Sequence, residues 1–399
     1  MKQGWEIKTL LDVSVSIEDG DWIEKKDQSS SGVRLIQTGN VGQGYYKDKG
    51  EKAKYISEDT FVRLKCTELT IGDILVSRLP DPVGRACILP ALGVRCITAV
   101  DCSIIKLKQD IIHSQWFVYY SLSSEYAAKV NKECSGTTRD RISRKKLSCI
   151  TIPIPPLAEQ ERIVEILDRE FEKINALKTN TERSLQHAKD LFQSALKQEL
   201  QPKEGWITAS LNDLYDVRDG THDSPQYIAD GFPLVTSKNL RNGIVDISNV
   251  KYISRKDYDK INERSKVNIG DVLFAMIGTI GNPTLVIEEP NYAIKNMALF
   301  KVPHTQSGAF LKYILSSSTV LQKMLNKSKG SNQPFVSLGY LRRFEITIPS
   351  TLKEQEEIVK NINQLNDNCK ALEANYTKTI TLCDDMKQAL LRKAFNGEL

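Results

Sequence analysis

The sequence predicts an α+β protein of mixed class, in which two copies of one α/β domain are each followed by a single long helix. Three observations lead there. The 399-residue chain repeats its own landmarks with a period of about 200 residues, which marks a duplicated domain and not a solenoid. Leu157 to Leu200 and its echo Leu352 to Leu399 each run for dozens of residues without Gly or Pro, and each is entered through a proline-marked segment. Proline is tolerated before a helix and not inside one, so both stretches read as continuous helices. The segments between them carry short apolar runs without regular βαβ alternation, which favours a mainly antiparallel or mixed sheet over a doubly wound one.

The repeat is visible in order along the chain. Gly4-Trp5 matches Gly205-Trp206, and Asp19-Gly20 matches Asp219-Gly220. Leu35 and Asn40 match Leu234 and Asn239, and Lys54-Tyr55-Ile56-Ser57 matches Lys251-Tyr252-Ile253-Ser254. Gly72-Asp73-Ile74-Leu75 matches Gly270-Asp271-Val272-Leu273, with Gly-Asp supplying a turn before a strand. Extended segments are expected at 33–37, 74–77 and 102–107, and at 232–236 and 272–275. One helix is expected over 115–131, and its echo over 309–326. The resulting division is a first domain at 1–155, a first helix at 156–201, a second domain at 202–350 and a second helix at 351–399.

Within the helices, apolar residues recur three or four positions apart. Ile163, Leu167, Phe171, Ile174 and Leu185 define a seam in the first, with Leu177, Ala188, Leu191 and Ala195 continuing it. Val359, Ile362, Leu365, Leu372, Ile380 and Leu390 define the second, joined by Cys369, Tyr376, Cys383 and Met386. A narrow seam sustained over several heptads is the mark of a coiled coil. Two ordinary amphipathic helices serving separate cores are the alternative.

Composition excludes more than it assigns. Hydrophobic content of 40% and charged content of 26% are ordinary for a globular protein. No apolar run approaches the roughly 20 residues that span a bilayer, and the first residues lack a signal-peptide core. A cytoplasmic location is therefore expected. The eight cysteines form no Cys-x-x-Cys pair, and the four histidines are scattered, so neither a zinc site nor a His-centred catalytic site has support. No phosphate-binding Gly-x-x-x-x-Gly-Lys loop and no dinucleotide Gly-x-Gly-x-x-Gly turn is present. No catalytic, cofactor-binding or metal-binding residue is expected in this chain.

The net charge of +5 is mild, so the placement of basic residues matters more than their number. Arg139, Arg141, Arg144 and Lys145, with Thr138, crowd the loop before the first helix; Lys329, Asn332, Gln333, Arg342 and Arg343 occupy the matching place before the second. Arg78 and Arg85 lie in a loop whose echo is 276–282, and Lys238 lies in another loop of the second domain. Such residues can contact phosphates and base edges, and these thirteen are the candidate DNA contacts; a solvated turn is the competing reading of each.

Taken together, these features resemble the specificity subunit of type I restriction–modification systems. The resemblance is carried by Gly-Trp near each domain start, Gly-Asp-Ile/Val-Leu before a strand, and a Gly-to-Ser loop before each helix. Pro156 to Glu161, its counterpart Leu352 to Glu356, and the terminal Ala394-Phe395-Asn396-Gly397-Glu398-Leu399 complete it. The first helix ends Leu196-Lys197-Gln198-Glu199-Leu200 instead, a small departure. The resemblance implies two target-recognition domains, each reading half of a bipartite double-stranded DNA sequence. It implies an antiparallel helix pair that sets the unread spacer. The implied partners are two modification (methyltransferase) subunits and the restriction (translocase/endonuclease) subunits. S-adenosylmethionine, ATP and Mg would then be used on those partners, and this chain would be a non-catalytic recognition subunit. A coiled-coil scaffold that binds no DNA, and a stand-alone nuclease, are the rivals.

Overall fold

A computed structural model describes residues 2–136, 139–241, 243–326 and 335–399. They form two compact units, Met1–Thr181 with Lys378–Leu399, and Glu182–Thr377. Both divisions fall inside the long helices instead of at 156 and 351, because each helix packs its two ends into different cores.

In the first unit, an inner antiparallel sheet has the order Ser14–Asp19, Cys102–Leu107, Ile74–Ser77, Ala86–Ile88. An outer sheet has the order Gln28–Ser29, Lys54–Ile56, Val33–Ile36, Cys96–Thr98, with only its last pair parallel. A separate ribbon pairs Glu6–Thr9 with Thr151–Ile154. Side chains alternate across a strand, and here both faces are buried. Ile74, Val76 and Ile105 join a core with Trp116, Phe117 and the long helices, while Leu75 and Ile104 join another with Ile36 and Cys96. Two buried faces explain why Ile74-Leu75-Val76 reads as an unbroken apolar run.

The second unit repeats the plan. Its inner sheet runs Asp216–Asp219, Met297–Lys301, Val272–Ala275, Gly281–Leu285; its outer sheet runs Tyr227–Ile228, Lys251–Ile253, Phe232–Val235, Ala293–Ile294, again with the last pair parallel. Val272 and Phe274 enter one core and Leu273 and Ala275 the other. The Gly-Asp turns are closed alike: Asp73 accepts from the Thr70 N–H at 2.8 Å, and Asp271 from the Asn268 N–H at 2.7 Å.

The helix expected over 115–131 is two helices, Ser114–Ser121 and Ser124–Glu133. Ser123 is extended, and its hydroxyl caps the second by accepting from the Tyr126 N–H at 3.1 Å. The echo also breaks, at an extended Ser317 whose hydroxyl makes no cap, into Gly308–Ser316 and Ser318–Leu325.

The long helices run Leu157–Glu199 and Leu352–Asn396. Each start is fastened by a fully buried glutamine. Gln160 accepts from the His113 N–H at 2.8 Å and donates to the carbonyls of Ile111 and Pro155, both at 2.9 Å. Gln355 accepts from the Ser307 N–H at 2.9 Å and donates to Gln306 Oε1 at 2.8 Å and the Pro349 carbonyl at 3.2 Å. The repeated Glu-Gln pair is thus a fastener between helix and domain. In the first unit the helices run antiparallel: Arg162 donates to the Leu399 carbonyl at 2.6 Å, and Lys178 pairs with Asp384 at 2.7 Å.

The helix ends act as plugs. Phe395 packs edge-on against Trp116 at 4.7 Å and Tyr120 at 5.0 Å. The helix then stops at Gly397, whose φ of +76° suits glycine, with the Glu398 N–H donating back to the Lys393 carbonyl at 2.8 Å. In the second unit Leu196 is fully buried in the core that holds Phe310 and Ile362.

The expected seam is corrected at its edges. Ile163, Leu167, Phe171, Ile174 and Ile362 are buried, whereas Leu185, Val359, Leu365, Ile380 and Leu390 are half-buried. Leu372 is 40% exposed and lies off the covered face, as do Leu177, Leu191 and Met386. Val164, Leu196, Ile358, Leu391, Ala394 and Phe395 are buried in addition. The covered face is set by whichever core the helix meets, so it departs from a strict heptad.

Two predictions follow from the fasteners. Replacing Gln160 with Leu strands one buried N–H and two carbonyls, and denaturant unfolding should show a loss of about 2–3 kcal/mol. Glu159 hydrogen-bonds to Arg162 and Lys2, which together hold its carboxyl down at about 2 against an ordinary 4.5. Its folded value is depressed, so the stability it contributes is complete above the ordinary value and is lost as pH falls towards about 2. Acid titration of Glu159→Gln should lack that component of the pH dependence.

Candidate nucleic-acid interface

In the first unit, Ser14–Asp19 and Ile74–Ser77 end, and Cys102–Leu107 begins, at one edge of the inner sheet. Gly20 leaves that edge hard against the outer sheet. A Cβ there would sit 2.4 Å from the Thr98 and Ala99 carbonyl oxygens, and the same holds for Gly220 against the Ile294 carbonyl. This close approach explains the repeated Asp-Gly and fixes the aspartate beside the loops.

Around Asp19 and Asp101 the edge collects arginines. Arg78 reaches Asp19 at 3.4 Å, Arg144 approaches it at 3.8 Å, and Arg141 pairs with Asp101 at 3.1 Å. The loop before the first helix returns to this edge, with the Ile142 N–H donating to the Arg78 carbonyl at 3.2 Å. Arg139, Arg141, Arg144 and Lys145 are exposed.

The equivalent edge of the second unit is built from other groups. Asp219 is buried, pairs with Arg264, and meets His222 Nε2 at 2.7 Å; His222 Nδ1 lies 2.9 Å from Asn296 Oδ1. Lys295 donates to Ser224 Oγ at 2.6 Å, and Arg264 and Lys260 line a cavity of about 280 Å³ with Thr221 and Ser224. The loop before the second helix comes back here too: the Val336 N–H donates to the Met276 carbonyl at 2.9 Å. Sequence reasoning did not select Arg264, Lys260 or Lys295. Their signal was the Asp-Gly match, which marks the edge but not the basic residues that other elements bring to it.

Several expected contacts are occupied internally. Arg85 is buried and donates to four carbonyls, those of Val41, Leu79, Pro82 and Thr38, at 2.7 to 2.9 Å. Arg78 is buried with its guanidinium on the Val100 carbonyl. Burial pushes the pKa of both guanidinium groups down. These two arginines hold the loops in shape, which corrects the expectation that they face outward. Arg342 forks onto the Val217 carbonyl at 2.8 and 3.0 Å, which commits its guanidinium to the sheet. Lys238 and Arg343 are exposed. Thr138, Lys329, Asn332 and Gln333 lie outside the described residues. Among the described residues, no three His, Cys, Asp or Glu side chains stand together as a metal site.

Both halves of the chain match the type I restriction modification DNA specificity domain, over residues 2–187 and 203–382. The chain belongs to this family. The specificity subunit of the Escherichia coli type I restriction enzyme EcoBI is 27% identical over 74% of this chain and 68% of its own length. That of EcoKI, from Escherichia coli strain K12, is 22% identical over 100% of this chain and 90% of its own length. Among solved structures, a chain from work on complex assembly and conformational transition of the type I R-M system superposes with a TM-score of 0.82 at 18% identity, covering 100% of this chain and 99% of that one. The HsdS subunit from Thermoanaerobacter tengcongensis gives 0.58 at 16% identity, covering 100% and 98%. The type I specificity fold, with two repeated target-recognition domains, is therefore the frame in which this edge sits.

The two classes of arginine at the edge should respond differently to removal. Arg85→Ala strands four carbonyls and should cost about 2–4 kcal/mol in chemical unfolding. Arg141→Ala removes a half-exposed surface pair and should change stability by less than about 0.5 kcal/mol.

Proposed function

We propose that each domain of this specificity subunit reads one half of a bipartite double-stranded DNA target through the strand-end edge described above. The observation that carries the reading is that edge itself, built twice on one frame, with exposed basic loops on an otherwise mildly charged chain. The long helices act as the spacer. A helix of 43 residues is about 65 Å long at about 1.5 Å per residue, equal to roughly 19 base pairs of duplex. Helix length is then the variable that separates the half-sites.

Leu177, Leu382 and Met386 in the first unit, and Leu191 and Leu372 in the second, are exposed apolar side chains on these helices. They suit docking of helices from two modification subunits, with restriction subunits joining that assembly. The chemistry belongs to those partners: S-adenosylmethionine on the modification subunits, and ATP with Mg on the restriction subunits. The relatives named as specificity subunits support a non-catalytic role here. No described helix is long and apolar enough to cross a membrane, and the working compartment of such an assembly is the cytoplasm, where the DNA is.

The test uses the complex with its modification subunits. Exchanging residues 1–155 for the matching domain of a relative should change one half of the methylated sequence and leave the other; a change in both halves overturns the modular reading. Removing seven residues from each long helix should shorten the unread spacer, and an unchanged spacer sinks the ruler. Loss of all sequence-selective binding in the wild type would leave a coiled-coil scaffold.

A further inference from the structure

A second basic feature of the first domain lies outside the loops considered so far. Lys49, Lys52 and Lys54 line a cavity of about 260 Å³ together with the turn Gln37 to Asn40. That is several times the roughly 30 Å³ of a water molecule. The turn is closed by its own asparagine: Asn40 Oδ1 accepts from the Gln37 N–H at 3.0 Å, and Asn40 Nδ2 donates to the Lys47 carbonyl at 2.9 Å. The Lys47 N–H returns to the Asn40 carbonyl at 2.7 Å. This closed loop carries the three lysines back over the turn.

All three lysines are exposed, and among the described residues none forms an ion pair. Of the two acids adjacent in sequence, Asp48 is drawn away by the Gly50 N–H at 2.9 Å and by Arg34. Those two contacts hold its carboxyl below the ordinary carboxylate range. Glu51 makes no ion pair with the lysines either. Elsewhere the chain pairs its lysines readily, as in Lys8–Glu6 at 2.9 Å, Lys26–Glu24 at 2.8 Å and Lys129–Glu125 at 2.8 Å. Like charges gathered around one cavity repel each other until an anion enters.

Arg85 links this pocket to the edge. Its Nη2 holds the Thr38 carbonyl of the turn, and its Nη1 holds Leu79 and Pro82 of the neighbouring loop. The turn that lines the pocket is therefore tied to the loop that follows Ile74–Ser77, whose Arg78 meets Asp19 at the edge. The second domain closes its turn in the same way, with Asn239 accepting from the Thr236 N–H at 2.9 Å and donating to the Asp246 carbonyl at 2.9 Å. It lacks counterparts of Lys49 and Lys52, and keeps that of Lys54 as Lys251. Its following segment is Asp246-Ile247-Ser248-Asn249-Val250-Lys251, and Lys251 sits over the Tyr227 ring at 4.1 Å.

We infer that the Lys49–Lys52–Lys54 pocket seats a phosphate oxyanion of the DNA backbone beside the half-site read by the first domain, and that the second domain has no such seat. A phosphate held there fixes register without reading a base. The inference rests on the DNA-reading assignment above. Inorganic phosphate offers the same chemistry as a backbone phosphate, so the test includes both.

In the assembled complex, the triple variant Lys49→Gln, Lys52→Gln, Lys54→Gln should bind the cognate duplex about tenfold more weakly at about 0.1 M salt. Its log-affinity against log-salt slope should be shallower by about one, as for one lost phosphate contact. The methylated sequence should stay the same, and the unfolding midpoint should be unchanged or raised. Ethylation interference should lose a phosphate next to the first half-site only. An unchanged slope and footprint overturn the proposal. Millimolar inorganic phosphate that raises the wild-type midpoint, and not the variant's, while the slope stays unchanged assigns the pocket to free phosphate and overturns it as well. A wild-type complex without sequence-selective binding defeats the DNA-reading assignment itself, and this proposal with it.

Discussion

A helix with a narrow apolar stripe is not stable alone in water; it must bury that stripe against something. Each compact unit meets this constraint by taking the start of one long helix and the end of the other. Gln160 and Gln355 fasten the starts with three hydrogen bonds apiece to backbone or amide groups that would otherwise be buried without partners. Phe395 and Leu196 plug the ends into aromatic cores. The short motifs at the two ends of each helix are therefore matched halves of one joint, and the domain cores are incomplete without them.

The same cores dictate where binding chemistry can go. A central strand covered on both faces, such as Ile74–Ser77 or Val272–Ala275, has no room for charge along it. Val76 and Leu75 face two different cores, as Phe274 and Leu273 do in the repeat. Polar groups are pushed to the strand ends, where Asp19 and Asp219 begin the loops. Loops on a rigid edge can change composition without disturbing the packing beneath them. Arg85 shows the limit of that freedom: it sits among the loops, yet its four carbonyl partners make it part of the frame.

Much of this frame is legible in the sequence. Unbroken apolar runs such as Ile74-Leu75-Val76 announce strands buried on both faces, and the helices declare themselves by length and by the absence of Gly and Pro. The break at Ser123 escapes the sequence reading: a serine before a helical run is a capping signal, but the largely apolar runs Trp116 to Tyr120 and Tyr126 to Val130 on either side read as one helix. The interface is less legible. Arg78 and Arg141 are indistinguishable as loop arginines; only the Val100 carbonyl, supplied from 22 residues away, takes one of them inside. Leu372 and Ile362 have equal claims to a seam by spacing, and the core of the second unit selects Ile362. Selection of this kind depends on contacts distant in sequence, which periodicity does not carry.

The duplication separates what the fold requires from what the function varies. Three devices are kept in both copies: the buried glutamine, the Gly-Asp turn and the asparagine-closed turn at Asn40 and Asn239. All three satisfy backbone groups, so they answer to folding. The edge diverges instead. Asp19 meets Arg78 and Arg144, whereas Asp219 meets His222 and, from the helix Arg255–Ser265, Arg264. Lys49 and Lys52 have no lysine counterparts in the second domain. A frame held constant while its edge chemistry changes is what two readers of unlike half-sites need. It also means that a residue's position in the repeat does not transfer its role: Arg78 corresponds to Met276, and the charge that Arg78 supplies to Asp19 is supplied to Asp219 by Arg264 from a different element.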